Sequence, residues 1–233
     1  MSLGYGKRLS WPDDYFSFYG ELSYQLYMMK DWPYMILTDG NSHNFALNLQ
    51  ISRSSIDNPI YTRRGSQFTL GLKITPPYSL IRGAMSGGNQ PDYAQMTPSE
   101  KYNLLEYHKW RFSGKVFTPL TPDSKLVLMT RAEFGYLGHY NKNKVSPFER
   151  FEIGGDGMTG YNIYGVDVIA MRGYQDGALN PAGDSYSVAY NKYTLVLRYP
   201  LILKPSSQIY ALGFLEGGSG FSSWKDFSPF KIK

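Results

Sequence analysis

His43-Asn44-Phe45-Ala46-Leu47-Asn48-Leu49-Gln50-Ile51-Ser52-Arg53 alternates without a break. Phe45, Leu47, Leu49 and Ile51 share one face; Asn44, Ala46, Asn48, Gln50 and Ser52 share the other. Successive side chains of a strand point to opposite faces, so this stretch reads as a β-strand that is apolar on one side only. The same period recurs in both directions. Tyr15–Tyr27 sets Phe16, Phe18, Gly20, Leu22, Tyr24 and Leu26 against Tyr15, Ser17, Tyr19, Glu21, Ser23, Gln25 and Tyr27. Ser66–Thr75 opposes Phe68, Leu70, Leu72 and Ile74 to Gln67, Thr69, Gly71 and Lys73. Tyr107–Val116 opposes Trp110, Phe112 and Val116 to Lys109, Arg111, Ser113 and Lys115. Leu126–Tyr136 places Leu128, Ala132 and Phe134 opposite Arg131 and Glu133, and Tyr193–Tyr199 places Leu195 and Leu197 opposite Thr194 and Arg198. With Leu3–Ser10 and Gln208–Gly217 the reading gives eight strands and no convincing helix.

Strands of about 9–11 residues with one apolar and one charged face suit a transmembrane β-barrel, lipid outside and water inside. A soluble sandwich could bury the same apolar face as its core. The connections favour the membrane. They run 11–14, 30–42, 54–65, 77–106, 117–125, 137–186 and 201–207, with the second, fourth and sixth the longer set. Outer-membrane barrels pair short periplasmic turns with long external loops. Pro12, Pro59, Pro119, Pro122 and Pro205 fall in the short set, where they end strands. The expected lipid face therefore holds Leu22, Leu26, Leu47, Leu49, Leu70, Leu72, Phe112, Leu128, Phe134, Leu195 and Leu197. Lys73, Lys109, Arg111, Arg131 and Glu133 are expected to face the lumen.

Composition closes off other classes. The chain has 233 residues, no cysteine and a net charge of +5. A disulfide scaffold and a thiolate metal site are excluded. No apolar run approaches the roughly 18 residues of a spanning helix, and Met1–Tyr5 opens in a strand pattern, so no signal peptide is expected. The basic excess is spread along the chain, giving no concentrated nucleic-acid footprint. His43, His108 and His139 lack ligand spacing, so no metal is expected. Gly154-Gly155-Asp156-Gly157 is not followed by the Gly-Lys-Ser/Thr of a phosphate loop and reads as a turn. Gly217-Gly218-Ser219-Gly220 lacks the order of a hydrolase elbow. No catalytic constellation and no cofactor site emerges, and the chain is not read as an enzyme.

The sixth connection is long, yet neither low in complexity nor strongly charged, which points to function. It carries Pro147-Phe148-Glu149-Arg150-Phe151-Glu152-Ile153-Gly154-Gly155 and Met171-Arg172-Gly173-Tyr174. Taken alone, Arg172 reads as a solvated loop arginine.

These two pieces, with Phe214-Leu215-Glu216-Gly217-Gly218, resemble the barrel of the BamA family of outer-membrane protein assembly factors. Further matches are Gly4–Leu9, Arg53–Pro59 and Lys192–Pro200. The resemblance covers essentially the whole chain. It implies a sixteen-strand barrel preceded by POTRA domains, of which residues 1–233 would be a central part, the sixth to thirteenth strands, with no POTRA domain. It implies localisation in the bacterial outer membrane and a non-enzymatic role in folding and inserting outer-membrane proteins. The implied partners are outer-membrane lipids, unfolded client proteins and assembly-complex lipoproteins. The sixth connection would fold back into the lumen, where Arg172, Gly173 and Tyr174 would lock to Glu216. The loop motif Phe148, Glu149, Arg150, Phe151, Gly154 and Gly155 would accompany them. One departure stands out: Val196 occupies a position where the family pattern has glutamate, so Arg172 is left with one acidic partner. A translocation barrel of the TamA or two-partner-secretion type is the first alternative, and a passive porin or adhesin the second.

Overall fold

The computed structural model describes residues 1–31, 37–88, 91–157, 165–182, 186–204 and 206–232. The strands are β1 (Ser2–Arg8), β2 (Phe16–Met29), β3 (Gly40–Ser54), β4 (Gly65–Ile74), β5 (His108–Pro119), β6 (Val127–Gly138), β9 (Ala189–Lys204) and β10 (Ser207–Phe221). They form one eight-stranded sheet in the order β1-β2-β3-β4-β5-β6-β9-β10. Every neighbouring pair is antiparallel. Two short strands inside the sixth connection, β7 (Phe151–Ile153) and β8 (Asp167–Ile169), form a separate parallel pair.

Register carries each face across the sheet. Leu49 is level with Leu72, Leu72 with Trp110, and Trp110 with Tyr136. One residue along β4 toward the loops, Lys73 is level with Asn48 and Lys109 on the opposite face. A one-residue slip would exchange these faces, so the alternation and the register specify each other. Among the described residues no second sheet packs on the apolar side. Leu3, Leu22, Leu70, Leu195 and Leu197 are exposed there. An apolar face this extensive marks a surface made for a non-aqueous neighbour. No helix among the described residues is long and apolar enough to cross a membrane.

Several expectations are corrected. Helices are present: α1 (Tyr78–Met85) and α2 (Pro98–Lys101) in the fourth connection, and a 3-10 turn at Trp224–Asp226. All are too short to show a 3.6-residue period. Yet α2 carries a readable start: Thr97 and Glu100 form a capping box, with Pro98 in the first turn. The second connection is not long. β2 and β3 extend to meet each other at Met29 and Gly40, so 30–39 is no longer than 55–64. Pro205 lies outside the described residues.

The outward row is also partly covered. The segment after β10 folds back over it, with Trp224 4.8 Å from Tyr136 and Phe227 6.3 Å from Phe134, centroid to centroid. Beneath it, Asn191 donates to the carbonyls of Ser228, Pro229 and Lys231 at 2.9–3.2 Å. A buried amide on an otherwise apolar face needs such partners.

The core lies on the other side. Tyr107, Leu137 and Tyr190 meet Phe148, Phe151, Ile153, Ile169, Met171 and Leu179 of the sixth connection. That connection is thus folded onto the polar face.

Candidate functional site

The two motif pieces of the sixth connection are built into one unit. β7 runs parallel to β8, with Phe151 level with Asp167 and Ile153 with Ile169. Beyond β7 the chain turns at Gly154 and Gly155, both at positive φ (136° and 73°). A Cβ at Gly154 would lie 2.1 Å from the Gln175 carbonyl oxygen, and one at Gly155 1.7 Å from Asp176 Oδ1. Only glycine fits there. The turn then grips the second piece: Gly155 N–H donates to the Tyr174 carbonyl at 3.0 Å, and Met171 N–H donates to the Gly155 carbonyl at 2.8 Å. Gly173, at φ 88°, lets the chain reverse between Arg172 and Tyr174.

Aromatic anchors set this unit against the wall. Phe148 is buried and stacks on Tyr27 of β2 at 4.6 Å. Phe151 is fully buried and meets Tyr190 of β9 edge-on at 4.8 Å. Burial of each ring contributes on the order of 2 kcal/mol. Arg150 does not reach the wall; its Nε donates to the Ser146 carbonyl at 3.2 Å within the loop.

Charge fixes the docking at two places. In the first, the loop supplies acids and the wall supplies bases. Lys73 of β4 and Lys109 of β5 are directly opposite in register. Like charges so placed repel. Glu149 sits between them, its carboxylate 2.5 Å from Lys73 Nζ and 2.9 Å from Lys109 Nζ. Asp167 extends the line, 2.9 Å from Lys109 Nζ and 3.1 Å from Arg111 Nη2. Lys109 also lies 4.8 Å from the centroid of the Phe151 ring. Burial alone would push the Glu149 carboxyl up; Lys109 and Lys73 outweigh it and hold it at about 2. Glu149 is itself at φ 67°, a rare conformation for a residue with a side chain, and its N–H is held by the Gly165 carbonyl.

In the second place the polarity is reversed. Glu216 of β10 points inward, and its carboxylate takes two bonds from one loop residue. Arg172 Nη2 donates to Oε1 at 2.8 Å and the Arg172 backbone N–H donates to Oε2 at 3.0 Å. Thr194 Oγ1 adds a third, at 3.3 Å. The guanidinium lies over Phe214, with Cζ 3.6 Å from the ring centroid. Val196 is the register partner of Phe214 and supplies no charge. Lys192 Nζ lies 3.8 Å from Glu216 and donates to the Ala170 carbonyl at 2.5 Å.

The structure thus brings Arg172 to Glu216, and Gly154 and Gly155 to Tyr174. Phe148, Glu149 and Phe151 reach the wall, and Arg150 stays within the loop. The sequence reading missed that Glu149 and Asp167 are the partners of the lumenal bases. The signal was the lysine pair at 73 and 109, which needs an anion once the two strands are set side by side.

The Omp85 superfamily domain matches residues 5–232. Among solved structures, BamA from Haemophilus ducreyi lacking POTRA domains 1–3 shares this fold, with a TM-score of 0.64 at 16% sequence identity. The alignment covers 96% of this chain and 42% of that one, so the chain spans less than half the length of that relative. No relative among curated proteins matches the sequence.

Proposed function

The chain belongs to the Omp85 superfamily of barrel assembly and translocation proteins, and from that premise we propose a specific role for it. It forms the central wall and inserted loop of an outer-membrane barrel that folds and inserts client β-barrel proteins. In this reading it performs no covalent chemistry. The bilayer contacts the outward leucines, unfolded outer-membrane proteins are the clients, and lipoproteins of an assembly complex are the accessory partners. The first, third, fifth and seventh connections face the periplasm and the second, fourth and sixth the exterior.

The observation that carries the reading is the docked loop. A loop that merely decorated a pore would need no paired anchors of opposite polarity. Here the loop's acids meet β4 and β5, and its arginine meets β10. The loop therefore spans the inner face and holds distant strands at a fixed curvature. A wall braced in this way can present a defined lumen and a defined sheet edge to an incoming strand, the geometry that strand addition requires.

The test is the level of folded client proteins in the outer membrane of cells whose full-length protein carries Arg172→Ala or Glu216→Gln. Both are expected to lower it, and Arg172→Lys to restore it in part, because lysine lacks the planar fork. Undiminished client assembly in both variants, with the barrel still folded, would overturn the reading. Loss of secretion of one dedicated substrate, with client assembly intact, would favour a translocation barrel.

A further inference from the structure

The 55–64 connection does more than join β3 to β4. Its Tyr61 hydroxyl donates to the Lys125 carbonyl at 2.9 Å and to the Arg198 carbonyl at 3.3 Å. It therefore reaches the fifth connection and β9 beneath the turn end of the sheet. In return, Arg198 Nη2 donates to the Ile60 carbonyl at 3.2 Å. The guanidinium is enclosed by rings: Cζ lies 4.7 Å from the centroid of Tyr61, 5.0 Å from Tyr210 and 5.8 Å from Phe117. Tyr61 and Tyr210 are themselves 5.4 Å apart.

The connection is preformed for this reach. Asn58 Oδ1 accepts the N–H groups of Ile60 and Tyr61 at 2.9 and 3.1 Å, and Thr62 Oγ1 donates to the Asn58 carbonyl at 2.6 Å. Asp57 Oδ1 accepts from Arg63 and Arg64 at 3.0 and 3.3 Å. Such side-chain turns fix a loop without secondary structure. A second strut, from Arg64 Nη2 to Ser124 Oγ at 3.2 Å, repeats the link to the fifth connection.

Arg198 faces the lumen: its register partners are Val127 and Leu212, on the row that also holds Val196 and Thr194. An arginine on a water-filled wall should be solvated. Instead Arg198 is 9% exposed, and Val127 on the same inner face is 0% exposed. Among the described residues no carboxylate ion-pairs with Arg198. Its charge is met by ring faces and carbonyls, an arrangement that strengthens as water is excluded.

We propose that Tyr61 and Arg198 close the turn end of the lumen. The 55–64 connection is a built-in plug, fastened to β9 and β10 by an arginine–aromatic stack, and it bars ions and small solutes. The proposal rests on the membrane reading above. It concerns the end opposite the Arg172 lock.

The experiment is ion conductance of the purified full-length protein in planar lipid bilayers. Tyr61→Ala and Arg198→Ala should each raise conductance several-fold over wild type. Tyr61→Phe keeps the ring and should stay nearly closed. Arg198→Lys, which cannot stack as a plane, should fall between. Inserted Tyr61→Ala protein with wild-type conductance would sink the plug and leave the membrane reading intact. Wild-type protein that never inserts would sink both. If Tyr61→Ala does not fold, a second design decides. Residues 1–233 hold no cysteine, so in full-length protein freed of any cysteine elsewhere, Tyr61→Cys and Tyr210→Cys can be bridged selectively by a reducible bis-methanethiosulfonate linker long enough to replace the two stacked rings. A cross-link that holds conductance low, with leakage on reduction, is the expected result; no cross-link in folded protein overturns the proposal.

Discussion

Glu149 and Glu216 both tie the inserted loop to the wall, but from opposite sides and in different surroundings. Glu149 belongs to the loop and enters a pair of lysines, of which Lys109 is buried with a side chain only 4% exposed and Lys73 is 21% exposed. Glu216 belongs to the wall and is itself only 5% exposed, but it receives Arg172, whose side chain is 46% exposed. Water weakens an exposed pair, and desolvation raises the stakes of a buried one. The arginine is the feature most easily noticed in the sequence. The physics places the larger energy on the glutamate.

The difference can be broken or sharpened by measurement, beginning where the effect is largest. Glu149→Gln leaves Lys73 without its anion and Lys109 with Asp167 alone. It is expected to cost on the order of 3 kcal/mol, read as a lower urea midpoint of the full-length protein. A cost below that of Arg172→Ala would make the Arg172 anchor the stronger of the two.

The same group gives a pH signature. Its folded value of about 2 lies below the ordinary 4.5, so docking favours the ionised form. Its contribution is complete above the ordinary value and is lost as pH falls toward about 2. The protection factors of the Phe148–Ile153 amides, which divide out the intrinsic pH dependence of exchange, should therefore fall in acid and stay flat at neutral and alkaline pH. A fall in protection on the alkaline side would show that another group controls docking.

At the second anchor, Glu216→Gln should cost more than Arg172→Ala. The carboxylate serves both the side chain and the backbone N–H of residue 172, and truncating the side chain removes only one of these bonds. We expect about 2 kcal/mol against about 1 kcal/mol, since the carboxylate is buried and bonds to charged groups are the stronger ones, while the arginine side chain is half in water. Equal losses would mean that the backbone bond is negligible.

The smallest expected effect is that of Val196→Glu. It would place an acid opposite Phe214, beside the ring that carries the guanidinium. A gain of about 0.5 kcal/mol is expected, visible as a small rise in the same urea midpoint. A clear loss would show that this buried position does not accept charge.

The wall was legible because its signal is long. Strands such as Phe16–Met29 and Gly40–Ser54 repeat the two-residue period many times, and their faces follow from it. Short elements carry too few repeats. α1 follows Pro76-Pro77 and ends within about two turns, while β7 and β8 have three residues each. The covering of Phe134 by Trp224 and Phe227 was hidden for another reason: it depends on a segment remote in sequence. Asn191, an amide on an apolar row, was its one local trace. The Arg172–Glu216 pairing was reached through the family resemblance. The Glu149 pairing was within reach of the residues themselves, because the order and faces of β4 and β5 bring two lysines together.

The parallel pairing of β7 with β8 has a consequence in time. Neither strand can pair until the chain has gone out and come back. The unit they build also needs Lys73 and Lys109 from one part of the sheet and Glu216 from another. Contacts so distant along the chain form slowly, because loop-closure entropy is lost before they add stability. The loop should therefore be the last piece to settle during biogenesis. A wall that has mispaired or stalled would lack one of its seats. Docking would then report that the sheet was completed in the right order, and an unseated loop, open to proteases, would mark the molecules that were not.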